Sequence, residues 1–86
     1  MSPHAAVDAV MPTRFRRILE VLAVNEHGLY VLDIAAIAAV PRNGLYVVLG
    51  RMEDRGLIES REDGRCPPRR RYHITPAGSA ALTTRS

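Results

Sequence analysis

Lysine and tryptophan are absent from this sequence, cysteine and phenylalanine occur once each (Cys66 and Phe15), and only three tyrosines complete the aromatic set. A lone cysteine closes no internal disulfide, and with His4, His27 and His73 scattered along the chain it provides no zinc-ligand spacing. So few aromatic rings argue against single-stranded DNA or RNA as the partner, because that mode of binding needs stacking platforms. No apolar run approaches the about twenty residues that span a bilayer, and the N-terminus lacks the basic start and long apolar core of a secretory signal. The expected setting is a reducing cytoplasm. No nucleophile paired with a base, no couple of carboxylates and no glycine-rich phosphate loop is recognisable, so neither an enzyme nor a cofactor is expected, and no metal.

What is present is charge of one sign in one place. All twelve basic residues are arginine, and five of them (Arg61, Arg65, Arg69, Arg70 and Arg71) fall within residues 61–71 against only Glu62 and Asp63. Elsewhere seven arginines balance seven acidic residues, so the whole formal excess of +3 sits in this one segment. Clustered in this way it can form a single positive surface, for which a polyanion is the natural partner. Guanidinium is suited to that role because its planar fork of donors matches phosphate and guanine acceptors. Cys66 lies inside the same segment, where it is read as a surface cysteine, with a redox switch as the alternative.

Hydrophobic spacing predicts a single domain over residues 12–82, with tails at 1–11 and 83–86 and a short helix over Ala5–Val10 as the alternative for the first tail. Thr13 is the expected cap of a helix that buries Phe15, Ile18, Leu19 and Leu22 at i, i+3, i+4 and i+7 and ends near Asn25. Val21 and Val24 lie off that stripe, either as scattered surface residues or as a dimer seam. Leu29–Leu32 reads as a brief extended segment, Asp33 as the cap or first turn of a second helix with Ile34, Ile37 and Val40 inward, and Pro41 as a break and restart. The third helix, over residues 42–56, buries Leu45, Leu49 and Met52 and ends on Gly56 in the left-handed conformation, while Gly50 suggests close approach by a neighbouring backbone. Leu57–Arg61 and Arg70–Thr75 alternate as two strands around a turn-rich connection, and Thr75-Pro76 opens a short last helix over Ala77–Leu82, weakened by Gly78.

This order describes an α+β fold, a winged helix-turn-helix: a three-helix core, a two-stranded arginine-rich wing and a short C-terminal helix. In that arrangement the start of the third helix enters the major groove of double-stranded DNA. Its exposed residues Arg42, Asn43, Tyr46 and Val47 are the candidate base readers, since arginine pairs with guanine, asparagine with adenine and aliphatic groups with thymine methyls. Asn43 also suits a helix-start turn, and Tyr46 a half-buried packing role. Arg51, Arg61, Arg65, Arg69, Arg70 and Arg71 are the candidate contacts to backbone or minor groove, although the alternation along a strand lets only part of the triplet face DNA at once. Arg55 is expected to pair with surface acids instead. The competing reading is a winged helix that binds another protein and uses its arginines only for solvation.

PRNGLYVVLGRMEDRGLIES followed by PPRRRYHITPAG resembles the PadR-like winged-helix transcriptional regulators of bacteria. The similarity extends over Phe15–Leu82, and its most specific parts are Leu45-Tyr46 with Leu49, Arg51, Met52, Glu53 and Gly56-Leu57, then Arg71–Thr75 with Gly78. The resemblance implies a homodimeric DNA-binding regulator, commonly a repressor, reading an inverted repeat; within the expected cytoplasm it would be associated with the bacterial nucleoid or encoded by a phage or plasmid. Members usually continue into long C-terminal helices, whereas this sequence stops at Ser86. The expected dimer surface therefore falls to the N-terminal segment, the first helix or the C-terminal stub, and no small-molecule effector is expected.

Overall fold

The computed structural model describes residues 11–83, so the alternative helix over Ala5–Val10 lies outside the described residues. Its elements follow in the order α1 (Thr13–Ala23), α2 (Val31–Ala38), α3 (Arg42–Asp54), β1 (Ile58–Glu62), β2 (Arg70–Ile74) and α4 (Pro76–Thr83). The apolar stripe of α1 does what its spacing demands: Phe15, Ile18, Leu19 and Leu22 are all buried. They meet Ile34 of α2 and Leu45, Val48, Leu49 and Met52 of α3 in one core, closed at the wing side by Ile58 and Tyr72. The winged helix-turn-helix is thus built as three helices around one core with a two-stranded antiparallel wing, in which Ile58 pairs with Ile74 and Glu62 with Arg70.

Several local expectations are corrected. Pro12, not Thr13, is the cap of α1; its carbonyl accepts from Arg16 at 3.1 Å, and Thr13 already lies within the helix. The far end of α1 is closed by Asn25, whose side-chain amide donates to Val21 O at 2.7 Å. Only Leu29 of the predicted extended segment pairs, exchanging both backbone bonds with Tyr72. Val31 and Leu32 belong to α2, because Asp33 accepts from Tyr30 N at 3.3 Å and starts the helix two residues earlier than its own position. Ile37, expected inward, is 57% exposed, and Val48 takes a core position the spacing argument did not assign. Gly50 meets no atom of another element within 4 Å of where a Cβ would stand, so no neighbouring backbone among the described residues makes the close approach that glycine suggested.

The connection from α2 to α3 is tight. Ala39 takes the left-handed conformation (φ 57°, ψ 42°) with its amide donating to Ala35 O, Pro41 caps α3, and the two helices turn through 105°. That angle lies in the helix-turn-helix range. A left-handed alanine is strained by roughly 1–2 kcal/mol, part of which glycine would give back as unfolded-chain entropy. Ala39→Gly is therefore expected to stabilise the protein by about 1 kcal/mol, seen as a higher urea midpoint at unchanged slope.

Gly56, at φ 74°, ends α3 in the left-handed conformation, as its sequence position suggests. At the last helix Thr75 acts as the predicted cap, accepting from Gly78 N at 3.1 Å while its hydroxyl donates to Gly56 O. The same threonine therefore ties the end of α3 to the start of α4, and Thr83 still belongs to that helix.

Candidate nucleic-acid interface

Pro41 starts α3 so that Arg42 and, one turn later, Tyr46 project from one exposed row, with Asn43, Val47 and Arg51 at four-residue spacing along the next. All five side chains are exposed, whereas Leu45, Val48, Leu49 and Met52 anchor the opposite face in the core. Asn43 spends one of its groups locally: its Oδ1 accepts from Gly44 N at 3.0 Å, leaving the amide nitrogen as the free donor. Arg55 is drawn away from this row, its guanidinium lying 5.1 Å from the centre of the Phe15 ring.

The wing is organised by two residues that the sequence did not single out, Asp63 and Tyr30. Asp63 Oδ1 accepts from the amides of Arg65 (3.0 Å) and Arg69 (3.2 Å), and its own amide donates to Arg69 O at 2.9 Å, which closes the loop 63–69 upon itself. Its Oδ2 accepts from the Tyr30 hydroxyl at 2.7 Å and lies 3.9 Å from the Arg65 guanidinium. The Tyr30 ring carries Arg69 at 5.4 Å and Arg71 at 5.1 Å, both within cation–π range. One tyrosine at the start of α2 thus holds the wing loop and two of its arginines. An Asp-Gly turn signals that a carboxylate accepts from the amide two residues on; nothing local signals Tyr30, whose partner is 33 residues away.

Only 6% of the Asp63 side chain is exposed. Desolvation pushes its carboxyl up, but the Tyr30 hydroxyl, the Arg65 and Arg69 amides and the Arg65 charge together prevail, holding it at about 2 against an ordinary 3.8. A depressed carboxyl stabilises the fold above its unfolded value and ceases to do so as protons bind the folded form. This contribution is therefore complete above about pH 4 and disappears as pH falls through about 2. A carbon-detected NMR titration is expected to place the Asp63 midpoint near 2, and Tyr30→Phe should move it up toward 3.8.

The remaining wing arginines divide by face. Arg70 donates to Ser60 Oγ at 2.9 Å, and Ser60 in turn donates to Glu53 of α3 at 2.9 Å, so Arg70 is steered from α3 itself. Arg61 lies opposite Arg71 on the other face, paired with Glu59 at 2.6 Å, while Arg71 also donates to His27 O at 3.3 Å. Arg65 projects from the loop beside exposed Cys66. Between helix and wing lies an open groove of about 350 Å³, lined chiefly by Tyr30, Arg42, Tyr46, Arg69, Arg70 and Tyr72, with no acidic residue in its wall. Burial, with help from the Glu53 charge, raises the Tyr72 phenol, so it stays neutral in that wall. The structure thus brings Arg42 and Tyr46 together with Arg69 and Arg70 along the groove, while Arg71 borders it through the shared Tyr30 ring and turns with Arg61 toward His27.

Residues 18–84 match the model of the transcriptional regulator PadR-like family. The chain belongs to that family. It is a family of transcriptional regulators, not of enzymes. The PadR-like fold seen here is also that of solved winged-helix regulators. A MarR-family transcriptional regulator from Silicibacter pomeroyi is 25% identical, with a TM-score of 0.73 over 88% of this chain and 50% of that one. MosR from M. tuberculosis, solved in complex with DNA, is 23% identical with a TM-score of 0.73 over 92% of this chain and 56% of its own. A MepR variant from S. aureus bound to an oligodeoxyribonucleotide is 20% identical, TM-score 0.76, over 84% and 53%. The chain spans about half the length of these structures. No curated protein sequence matches it. Among the described residues no single helix is long and apolar enough to cross a membrane.

Proposed function

We propose that this chain binds double-stranded DNA as a sequence-specific transcriptional regulator, in the simplest case a cytoplasmic repressor that occupies an inverted repeat as a homodimer. The observation that carries the reading is the acid-free groove that joins Arg42 and Tyr46 of α3 to Arg69 and Arg70 of the wing. A strand of DNA lying along it would meet base-reading groups on one wall and phosphate-binding groups on the other. Arg42, Asn43, Tyr46 and Val47 enter the major groove; Arg51, Arg69 and Arg70 meet flanking phosphates; Arg61, Arg65 and Arg71, at the far face and tip of the wing, extend the positive field toward the neighbouring minor groove. Membership of a regulator family and the likeness to winged-helix proteins solved with DNA support the same assignment.

Selection from randomised duplex DNA at stepped salt tests it. Enrichment of a palindromic site is expected, with Arg42→Ala relaxing the preference at one base position and Arg70→Ala weakening all sequences alike while lowering the salt slope by about one. Retention without enrichment would reduce the proposal to non-specific DNA binding, and no retention at low salt would overturn it in favour of a protein partner.

A further inference from the structure

Tyr72 belongs to the hydrophobic core, and only 7% of it is exposed. Its backbone is pinned as well: the amide donates to Leu29 O at 2.8 Å, and the carbonyl accepts from Leu29 N at 3.1 Å. Its hydroxyl, in contrast, makes no hydrogen bond to any described residue. No sealed-off side-chain oxygen or nitrogen among the described residues lacks a partner, so the Tyr72 oxygen must sit at an opening. The opening that Tyr72 lines is the acid-free groove between α3 and the wing. The phenol lies within the electrostatic reach of Arg70 and Tyr46, both of which line that groove with it.

A hydroxyl held nearly buried with no partner is unfavourable where phenylalanine would fill the same space, so the acceptor it lacks is one that enters the groove. Arg42, Arg69 and Arg70 line the groove and no acid does, which selects an anionic acceptor. Glu53 is the one acid whose charge reaches the phenol; it stands outside the lining and accepts from the Ser60 hydroxyl at 2.9 Å. Burial first, and then that charge, keeps the phenol protonated and therefore able to donate. We infer that Tyr72 is a DNA-contacting residue, its hydroxyl donating to a backbone phosphate oxygen held between Arg42 of α3 and Arg70 of the wing. The inference rests on the DNA-binding reading above and adds to it a contact that carries no charge. Because the ring and backbone of Tyr72 are already fixed, this donor loses little freedom on binding, unlike the long arginine side chains around it.

Tyr72→Phe removes this oxygen and nothing else. Filter binding of the full chain to several duplexes of different sequence, over a salt series, is set beside thermal unfolding of the same two proteins. Affinity should fall about tenfold, the worth of one hydrogen bond to a charged group, and by the same factor on every duplex. The salt slope should not change, because a neutral donor releases no counterion, whereas Arg70→Ala in the same groove lowers it by about one. The thermal midpoint should hold or rise, since the lost hydroxyl had no partner in the fold. Unchanged affinity would overturn the contact. A loss of affinity matched by a lower midpoint would overturn it in favour of a structural role, and a lower slope in favour of an indirect effect through Arg70. A loss confined to some sequences would overturn the phosphate assignment in favour of a base edge. If the unaltered protein binds none of the duplexes at low salt, the DNA-binding reading itself fails and takes this contact with it, a result distinct from any that Tyr72→Phe alone produces.

Discussion

Tyr30→Ala is expected to weaken DNA affinity by tenfold to a hundredfold while leaving the helical core folded. The Tyr30 side chain is not part of the hydrophobic core; its hydroxyl holds Asp63 and its ring carries Arg69 and Arg71. Without it the loop 63–69 keeps only its internal bonds, and the two arginines regain rotamer freedom that DNA binding must then remove. Ordering a long side chain at an interface costs about 0.5–1.5 kcal/mol, so two of them amount to roughly 1–3 kcal/mol, or between five- and a hundred-and-fifty-fold in affinity. Tyr30→Phe retains the ring and loses only the hydrogen bond, so a smaller loss, under tenfold, should follow. Filter-binding isotherms on one duplex compare the three proteins, with the salt slope as the second readout. If Tyr30 positions the arginines, affinity falls. Should Tyr30 instead hold them away from phosphate, Tyr30→Ala would bind more tightly with a steeper salt dependence, and the positioning role would have to be abandoned.

Much of this fold is legible because local chemistry and tertiary packing agree. The stripe of Phe15, Ile18, Leu19 and Leu22 has one way to be buried, and Pro41 between two helical patterns has one reasonable meaning. The errors fall where the start and phase of a short helix decide. Leu29–Leu32 has the apolar, β-branched look of a strand, yet only Leu29 finds an edge to join, because Asp33 closes the first turn of α2 back onto Tyr30. Ile37 fits an inward helical spacing with Ile34, but Ala38, four residues on from Ile34, takes the buried position and leaves Ile37 exposed. The candidate site divides in the same way. Which α3 residues are exposed follows from the burial of Leu45, Leu49 and Met52. Which wing arginines share a face with them depends on Tyr30, Ser60 and Glu53, none of which is marked by its neighbours in the chain.

Gly78→Ala carries the largest expected loss of stability. By helix propensity alone alanine should improve α4 by about 1 kcal/mol, and on sequence grounds Gly78 looks like a weakness in that helix. Packing reverses the sign. A Cβ at position 78 would meet the backbone carbonyl oxygen of Leu57 well inside contact distance, and would come within 2.8 Å of Ile74 and 3.1 Å of Leu19. Ile74 and Leu19 have rotamers to give; the Leu57 carbonyl does not, because it already accepts from Thr75 N at 3.1 Å at the junction of wing and α4. The helix must therefore move away from Leu57, from Ile74 of β2 and from Leu19 of α1, opening the Thr75 link between Gly56 and Gly78 as it goes. Overpacking of this kind costs about 1–3 kcal/mol and more where backbone is displaced, so a net loss of about 3 kcal/mol is the expected outcome. In a domain of this size that lowers the midpoint of thermal unfolding by roughly 15 °C. Calorimetry of Gly78→Ala measures it directly, and a raised midpoint would mean that α4 does not pack against Leu57 in the way described. Because the wing springs from the same junction, DNA affinity in the variant should fall along with stability even well below its midpoint, linking the close approach at one glycine to the placement of Arg70 on the strand that precedes it.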